Sequence, residues 1–271
     1  MNITFIGGGN MADALVGGLL AKGFAAAALR VVEIEETARR RIEAKYAGVR
    51  TFAAPREALR EGDVVVFAVK PQQMREAARA AGLPRNRHLV VTIAAGIRIA
   101  TLARWLGGYE RIVRAMPNTP ALIGAGVTGL VAAPGACEDD LAAAETILGA
   151  VGRTVRIGDE ALMDAVTAVS GSGPAYVFWL IEQLAAAGEA FGLAPQTAQT
   201  LALETVLGAA KLAAQSGEPP AALRSRVTSK GGTTEAALAV FAEERLAERF
   251  LRAVRAACRR GDELGRELDR D

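Results

Sequence analysis

The chain has 271 residues and a mass of 28.2 kDa, enough for one large domain or two modest ones with proper cores. Hydrophobic residues make up 51% and charged residues 23%, so no stretch has the composition of a disordered segment, and a net charge of +2 with both signs interspersed argues against a nucleic-acid partner. The apolar run near the start is broken by glycines, Asn10 and Asp13, so neither a signal peptide nor a membrane span is expected, and the chain reads as cytoplasmic.

Residues 1–23, MNITFIGGGNMADALVGGLLAKG, read as a short β-branched and aromatic strand, a glycine turn and an amphipathic helix. Gly7, Gly9 and Ala12 have the spacing of a dinucleotide-binding turn. The first permits the tight turn, the second lets backbone approach a pyrophosphate, and the third lets the helix pack on the sheet. Gly8, Asn10 and Met11 complete the turn, and the helix N-terminus offers its free N–H groups to the diphosphate. A plain tight turn in another α/β protein is the competing reading.

The runs at 29–34, 64–69, 88–96 and 111–116 predict buried parallel strands, separated by helical stretches such as 71–81. The segments 126–133 and 153–158 predict additional edge strands. A doubly wound sheet binds its ligand at the carboxyl ends of its strands. Attention therefore falls on Glu33 to Glu36, on Ala68, Val69, Lys70 and Pro71, on Ala94, Ala95 and Gly96, and on Asn118. Glu33 lies about twenty residues beyond the glycine turn, where an acid accepts the ribose hydroxyls of NAD. Glu35 and Glu36 follow, and no arginine appears after Glu33 until Arg39, so this stretch favours NADH over NADPH. A solvated, glutamate-rich helix start would look the same. Lys70 could equally be a surface lysine, and Asn118 a member of a purely structural turn between Pro117 and Pro120.

After residue 158 the strand signal stops and a period near 3.6 takes over in 159–170, 174–192, 195–217 and 233–268. The helix beginning at Pro174 is apolar around most of its circumference, which requires burial in a bundle or between subunits. The single histidine, His88, removes most metal and histidine-based schemes. Cys137 and Cys258 fit no metal or disulfide spacing, and buried free thiols with no metal site are expected. Two loops alternate hydroxyls and glycines before helices, SGSGPAY (170–176) and SKGGTTEAAL (229–238). Serine and threonine are common caps, but a Gly-Gly pair exceeds what a cap needs.

The motifs FIGGGNMA, AVKPQ, IAAG, RAMPNTP, SGSGPAYVF and VTSKGGTT, in this order and over essentially the whole chain, resemble the pyrroline-5-carboxylate reductase family, which carries out the last step of proline biosynthesis. The resemblance implies an α/β Rossmann-type doubly wound sheet followed by an all-α helical dimerisation domain, with dimers that often assemble further into decamers. A dinucleotide-binding domain over 1–158 and a helical substrate and dimerisation domain over 159–271 are the corresponding divisions. It further implies that the glycine turn, Ala68 to Pro71 and Ala94 to Gly96 contact NAD(P)H. Ser229, Gly231, Gly232, Thr233 and Thr234 would hold the imino acid, with Glu160 near the substrate. The family's usual NADPH preference meets Glu33, Glu35 and Glu36 here, and Ala54-Pro55 where a polar residue is often found. Lys230 stands where some members carry proline.

The substrate implied is a cyclic imine bearing a carboxylate. N–H groups from Gly231 to Thr234 at a helix start would bind that carboxylate, and Thr234 would hydrogen-bond the ring nitrogen. An iminium already carries its proton, so positioning two reactants with water excluded supplies most of the catalysis. A hydroxyacid or other imine reductase of the same layout is the first rival, with Lys70 as the only suitably placed candidate base in the first half. A non-enzymatic NAD(H) sensor is the second, and it has little use for the second glycine loop.

Overall fold

The structure, a computed structural model, describes residues 1–59 and 64–270. The first half alternates strands and helices: β1 (Ile3–Ile6), α1 (Asn10–Ala21), β2 (Leu29–Val32), α2 (Glu36–Lys45), β3 (Arg50–Phe52), α3 (Pro55–Ala58), β4 (Val64–Phe67), α4 (Met74–Ala81), β5 (Leu89–Thr92), α5 (Ile99–Trp105) and β6 (Ile112–Met116). Then come β7 (Gly126–Ala132), α6 (Glu138–Leu148), β8 (Gly152–Arg156) and α7 (Met163–Val166). The strands form one eight-stranded sheet in the order β3-β2-β1-β4-β5-β6-β7-β8, parallel except where β6 meets β7. The order reverses between β1 and β4, the switch point at which doubly wound sheets bind nucleotides.

Strand side chains alternate between two apolar layers, as a period of two requires. Phe5, Val64 and Val66 join Leu15, Leu19 and Ile147 on one face. Ile6, Val65 and Phe67 join Met74, Leu102 and Met163 on the other. Burial on both faces explains why these strands read as continuous β-branched runs.

Several boundaries differ from expectation. β2 ends at Val32, so Glu33 belongs to the exit loop. β7 is not an edge: it lies between β6 and β8, and only β8 ends the sheet. Strand β3 and helix α10 (Pro220–Arg226) carry no clear periodic signal in the sequence. Cys137 and Cys258 are free, as expected, but Cys137 is exposed and Cys258 half-buried. Cys137 is at the surface because it caps α6, where the Asp140 carboxylate accepts its N–H at 3.1 Å.

The chain forms two compact units, one of residues 1–172 with 257–271 and the other of 173–256. The contact boundary therefore lies beyond residue 158. Met163 and Ala168 are fully buried, and Met163 belongs to the second apolar layer of the sheet, which holds this segment in the first unit. Its backbone passes from α7 into a π turn over Thr167–Gly171, where Ser172 N–H donates to the Thr167 carbonyl at 2.8 Å.

The second unit contains α8 (Gly173–Ala190), α9 (Pro195–Ser216), α10, α11 (Thr233–Glu243) and the first turns of α12 (Leu246–Arg270). Gly188 lies against Ala198, so α8 and α9 approach closely, and Tyr176 meets Phe250 edge-to-face at 5.9 Å. Yet Phe178 is 59% and Trp179 55% exposed, and Val177, Leu180 and Leu184 are exposed beside them. Within one chain this unit leaves the apolar faces of its helices uncovered, the pattern of a surface that meets another chain.

Candidate active site

Each residue of the first glycine turn has a physical reason. Gly7 has φ +104°, and a Cβ there would lie 2.8 Å from the Ala68 carbonyl oxygen, so only glycine fits. Its N–H donates to Val32 O at 2.8 Å, tying the turn to the exit of β2. Gly9 caps α1, and a Cβ on it would meet nothing within 4 Å. That open face, the N–H groups of Asn10 and Met11 in the first turn and the dipole of α1 form an anion cradle. Ala12 is buried against the sheet in the position expected for the third small residue.

At the exit of β2 the Glu33 carboxylate turns back onto this cradle. It accepts Gly8 N–H at 2.9 Å and Glu35 N–H at 3.0 Å. Arg39 is six residues away in sequence but not in space. Its guanidinium donates to the carbonyls of Glu33 at 2.7 Å and Ile34 at 2.8 Å, fixing the corner between β2 and α2. A cleft of about 180 Å³ opens beside Gly7 and Glu33, with Val32, Ile34, Pro55 and Ala77 on its apolar sides. A flat heterocycle with a ribose near Glu33 matches that chemistry. The chain's own groups therefore fit a dinucleotide.

Lys70 is exposed after β4 and leads into the one-turn helix Pro71–Gln73. Ala94, Ala95 and Gly96 form the turn after β5, with Gly96 at φ +77°. Asn118 is used internally at both ends of its amide: Nδ2 donates to Ser170 O at 3.1 Å, and Oδ1 accepts Val127 N–H at 2.9 Å. The side chain braces the turn after β6 against β7 and the π turn, which favours the structural reading of that residue.

Glu160 is tied into the protein as well. Its Oε1 accepts from Ile99 N–H at 2.8 Å and from Arg114 Nη1 at 2.8 Å. Arg114, on β6, is only 4% exposed and has a second carboxylate, Asp164, at 3.9 Å. Burial raises the Asp164 carboxyl above its ordinary range, and Arg114 only partly opposes this. Sequence reading missed Arg114, although a charge inside the run IVRAM needs a buried partner and signals one. It also missed the end of α12, where Arg98 meets Asp262 at 2.6 Å and Arg104 meets Asp269 at 2.9 Å.

In the second unit the two glycines of SKGGTT do different jobs. Gly231 has φ +73°, a left-handed turn. Gly232 caps α11, and a Cβ there would lie 2.6 Å from Ser229 Oγ. Two of the four expected anion-binding N–H groups are already taken: Gly231 N–H donates to Glu235 Oε2 at 2.6 Å and Gly232 N–H to Ser229 O at 3.0 Å. Thr233 and Thr234 begin α11, where N–H groups have no acceptor within the helix. Among the described residues no protein group pairs with the hydroxyls of Ser229, Thr233 or Thr234. Open N–H and hydroxyl groups at one helix start suit a small carboxylate. No group of three or more His, Cys, Asp or Glu able to hold a metal, and no helix long and apolar enough to cross a membrane, occurs among the described residues.

The doubly wound sheet with its glycine turn defines the class as a dinucleotide-dependent oxidoreductase, and the second unit adds a helix start whose open groups suit a small carboxylate. Residues 160–264 match the family described as pyrroline-5-carboxylate reductase dimerisation, and residues 2–96 match NADP oxidoreductase, coenzyme F420-dependent. The chain is 45% identical to the pyrroline-5-carboxylate reductase of Pseudomonas aeruginosa, covering 98% of this chain and 97% of that one. A solved pyrroline-5-carboxylate reductase from Coxiella burnetii superposes with a TM-score of 0.92 at 41% identity, covering 97% of this chain and 98% of the other. The Plasmodium falciparum enzyme, solved with NADP bound, gives 0.84 at 28% identity over 98% of each chain. The chain belongs to the pyrroline-5-carboxylate reductase family. Its dimerisation region supports homo-oligomerisation, and the alternative of a hydroxyacid reductase is not favoured.

Proposed function

We infer that this chain reduces the C=N bond of 1-pyrroline-5-carboxylate with NAD(P)H to give L-proline, in the cytoplasm. The observation that carries the reading is the second loop: hydroxyls of Ser229, Thr233 and Thr234 with no protein partner among the described residues, beside the Thr233 and Thr234 N–H groups of a helix start. When bound, the reduced nicotinamide supplies the hydride that the imine carbon accepts. The chain's residues do the rest by position. Gly7 to Ala12 hold the diphosphate, Glu33 the adenosine ribose, and Ala68 to Pro71 with Ala94 to Gly96 flank the nicotinamide end. Thr233 and Thr234 N–H groups hold the substrate carboxylate with the Ser229 hydroxyl. The Thr234 hydroxyl meets the ring nitrogen, which already bears its proton, so no strong general acid is needed.

For the coenzyme, Glu33 supports NADH at least as well as NADPH, because a 2′-phosphate beside its carboxylate is repelled. Arg39, whose Nη1 donates to two main-chain carbonyls, is outnumbered in this stretch by the carboxylates of Glu33, Glu35 and Glu36. For assembly, the exposed faces of α8 and its neighbours support a dimer through the second unit, and the family resemblance extends this to a decamer of such dimers. The test is direct. Protein, NADH and 1-pyrroline-5-carboxylate are mixed, and loss of reduced-coenzyme absorbance is followed alongside proline formation. A 2-hydroxyacid with NAD⁺ serves as control. Turnover of the hydroxyacid without turnover of the imine overturns the proposal.

A further inference from the structure

The buried Arg114 and the half-buried carboxylates beside it, behind the turn after β5, have no place in the reaction as described above. Arg114 lies on the sheet face shared with Met163, and an arginine so enclosed must be matched by anions. Glu160 provides one, at 2.8 Å. The same carboxylate oxygen accepts Ile99 N–H, the first free N–H of α5, at 2.8 Å. Ile99 follows the Ala94–Gly96 turn by three residues. The other end of that stretch is held as well: Arg98 pairs with Asp262 at 2.6 Å, and Gly265 of α12 leaves only 3.1 Å between a would-be Cβ and the Gly96 carbonyl oxygen. Thus the turn is clamped by Glu160 from the side of the sheet and by α12 along its length.

We propose that Glu160 is a positioning residue for the dinucleotide and not a ligand of the imino acid: anchored by Arg114, its carboxylate fixes the start of α5 and with it the turn that flanks the nicotinamide. The inference rests on the proposed assignment of Ala94 to Gly96 to the coenzyme. Two features favour it over direct substrate contact. One Oε1 already serves two donors, and its partner Arg114 is interior to the sheet, so the carboxylate is oriented inward by a fixed charge. Arg114 acts one step further back, by holding Glu160.

The test separates the two roles. NADH is titrated into the full-length protein by quenching of tryptophan fluorescence, and KM for the imine is measured at saturating NADH. Wild-type titration comes first, and a chain that binds neither NADH nor NADPH ends the oxidoreductase reading and this inference together. Glu160→Ala loses a charged hydrogen bond at the start of α5 and should raise the NADH dissociation constant about tenfold. Its KM for the imine should stay within about twofold, since no substrate contact is lost. Glu160→Gln keeps the shape, so it stays folded if the alanine variant does not. Its neutral amide cannot neutralise Arg114, and its NADH affinity should fall about threefold, between wild type and alanine. Hydrogen exchange of the Ile99 amide should quicken in both variants. Unchanged NADH affinity in Glu160→Gln, or a rise confined to the imine KM, overturns the proposal.

Discussion

The two glycine loops share a plan and differ in how far the chain completes them. Around Gly7–Ala12 the protein supplies its own anion, the Glu33 carboxylate on Gly8 N–H, and packs the turn against Ala68 and Ile42. Around Ser229–Thr234 the chain also supplies a carboxylate, Glu235, but it reaches only Gly231 and leaves three hydroxyls and the Thr233 and Thr234 N–H groups with no protein partner among the described residues. The same contrast runs through the two units. The first buries its central strands on both faces, whereas the second keeps Phe178 and Trp179 more than half exposed. On the proposed reading, the region that completes its own contacts is the one that positions the coenzyme, and the region with open groups and exposed apolar faces is the one that takes the substrate and a second chain.

The largest effect should come from denying the second unit its partner chain. Full-length protein should sediment as a dimer or larger at micromolar concentration, and Trp179→Glu, burying a charge in that interface, should give monomer. A monomeric wild type would contradict the comparison. Next, Glu33→Ser removes the carboxylate of the first loop and should shift the ratio of kcat/KM values toward NADPH by about tenfold, as expected for one charge-assisted contact. A wild type that already prefers NADPH by about a hundredfold would mean that Glu33 does not read the ribose.

A smaller effect concerns stability alone. Asp140 is buried, which pushes its carboxyl up, but hydrogen bonds from Arg111 at 2.6 Å and from Cys137 outweigh burial and hold it below its usual range. A depressed carboxyl stabilises the fold above its unfolded pKa, and that contribution disappears as pH falls through the lower folded value. Asp140→Asn should therefore lower Tm at pH 7 by several degrees, roughly the loss of one charged hydrogen bond. The deficit should shrink below about pH 4, where the wild-type carboxyl begins to protonate in the unfolded chain. A constant deficit down to pH 2.5 would mean packing and not charge. Least affected should be activity under EDTA or a thiol blocker: Cys137 is exposed and should be labelled, with turnover unchanged. Loss of activity with EDTA and recovery with a divalent ion would reveal a carboxylate metal site.

How much of this was legible in the sequence depends on whether a residue's neighbours are local. β1, β4, β5 and β6 announce themselves through continuous β-branched runs, and Gly7-x-Gly9-x-x-Ala12 marks the strand–turn–helix junction by its spacing. β3 escaped because Arg50-Thr51-Phe52 is short and half-exposed, so neither periodicity nor hydrophobicity marks it. The segment 159–170 read as a plain helix because one π turn barely disturbs the 3.6 pattern. Glu160 enters only through the family resemblance and Asn118 through its place between two prolines; their partners Arg114, Ile99, Ser170 and Val127 are 9 to 61 residues away, and only the fold brings them together. Glycine told the same kind of story: the pair in SKGGTT was visible, while the reason for Gly232, the Ser229 hydroxyl behind it, was not.

The proposed division of labour between the loops is tested most directly at Thr234, whose hydroxyl has no protein partner among the described residues while its N–H lies in the first turn of α11. Thr234→Val keeps the shape and deletes only the hydroxyl. Steady-state rates and NADH titrations on this variant should show kcat/KM for 1-pyrroline-5-carboxylate lower by about ten- to a hundredfold, the worth of a hydrogen bond to a charged group. Affinity for NADH should remain that of the wild type. Normal turnover with only a lowered Tm would make Thr234 a structural residue of the helix start and contradict the account.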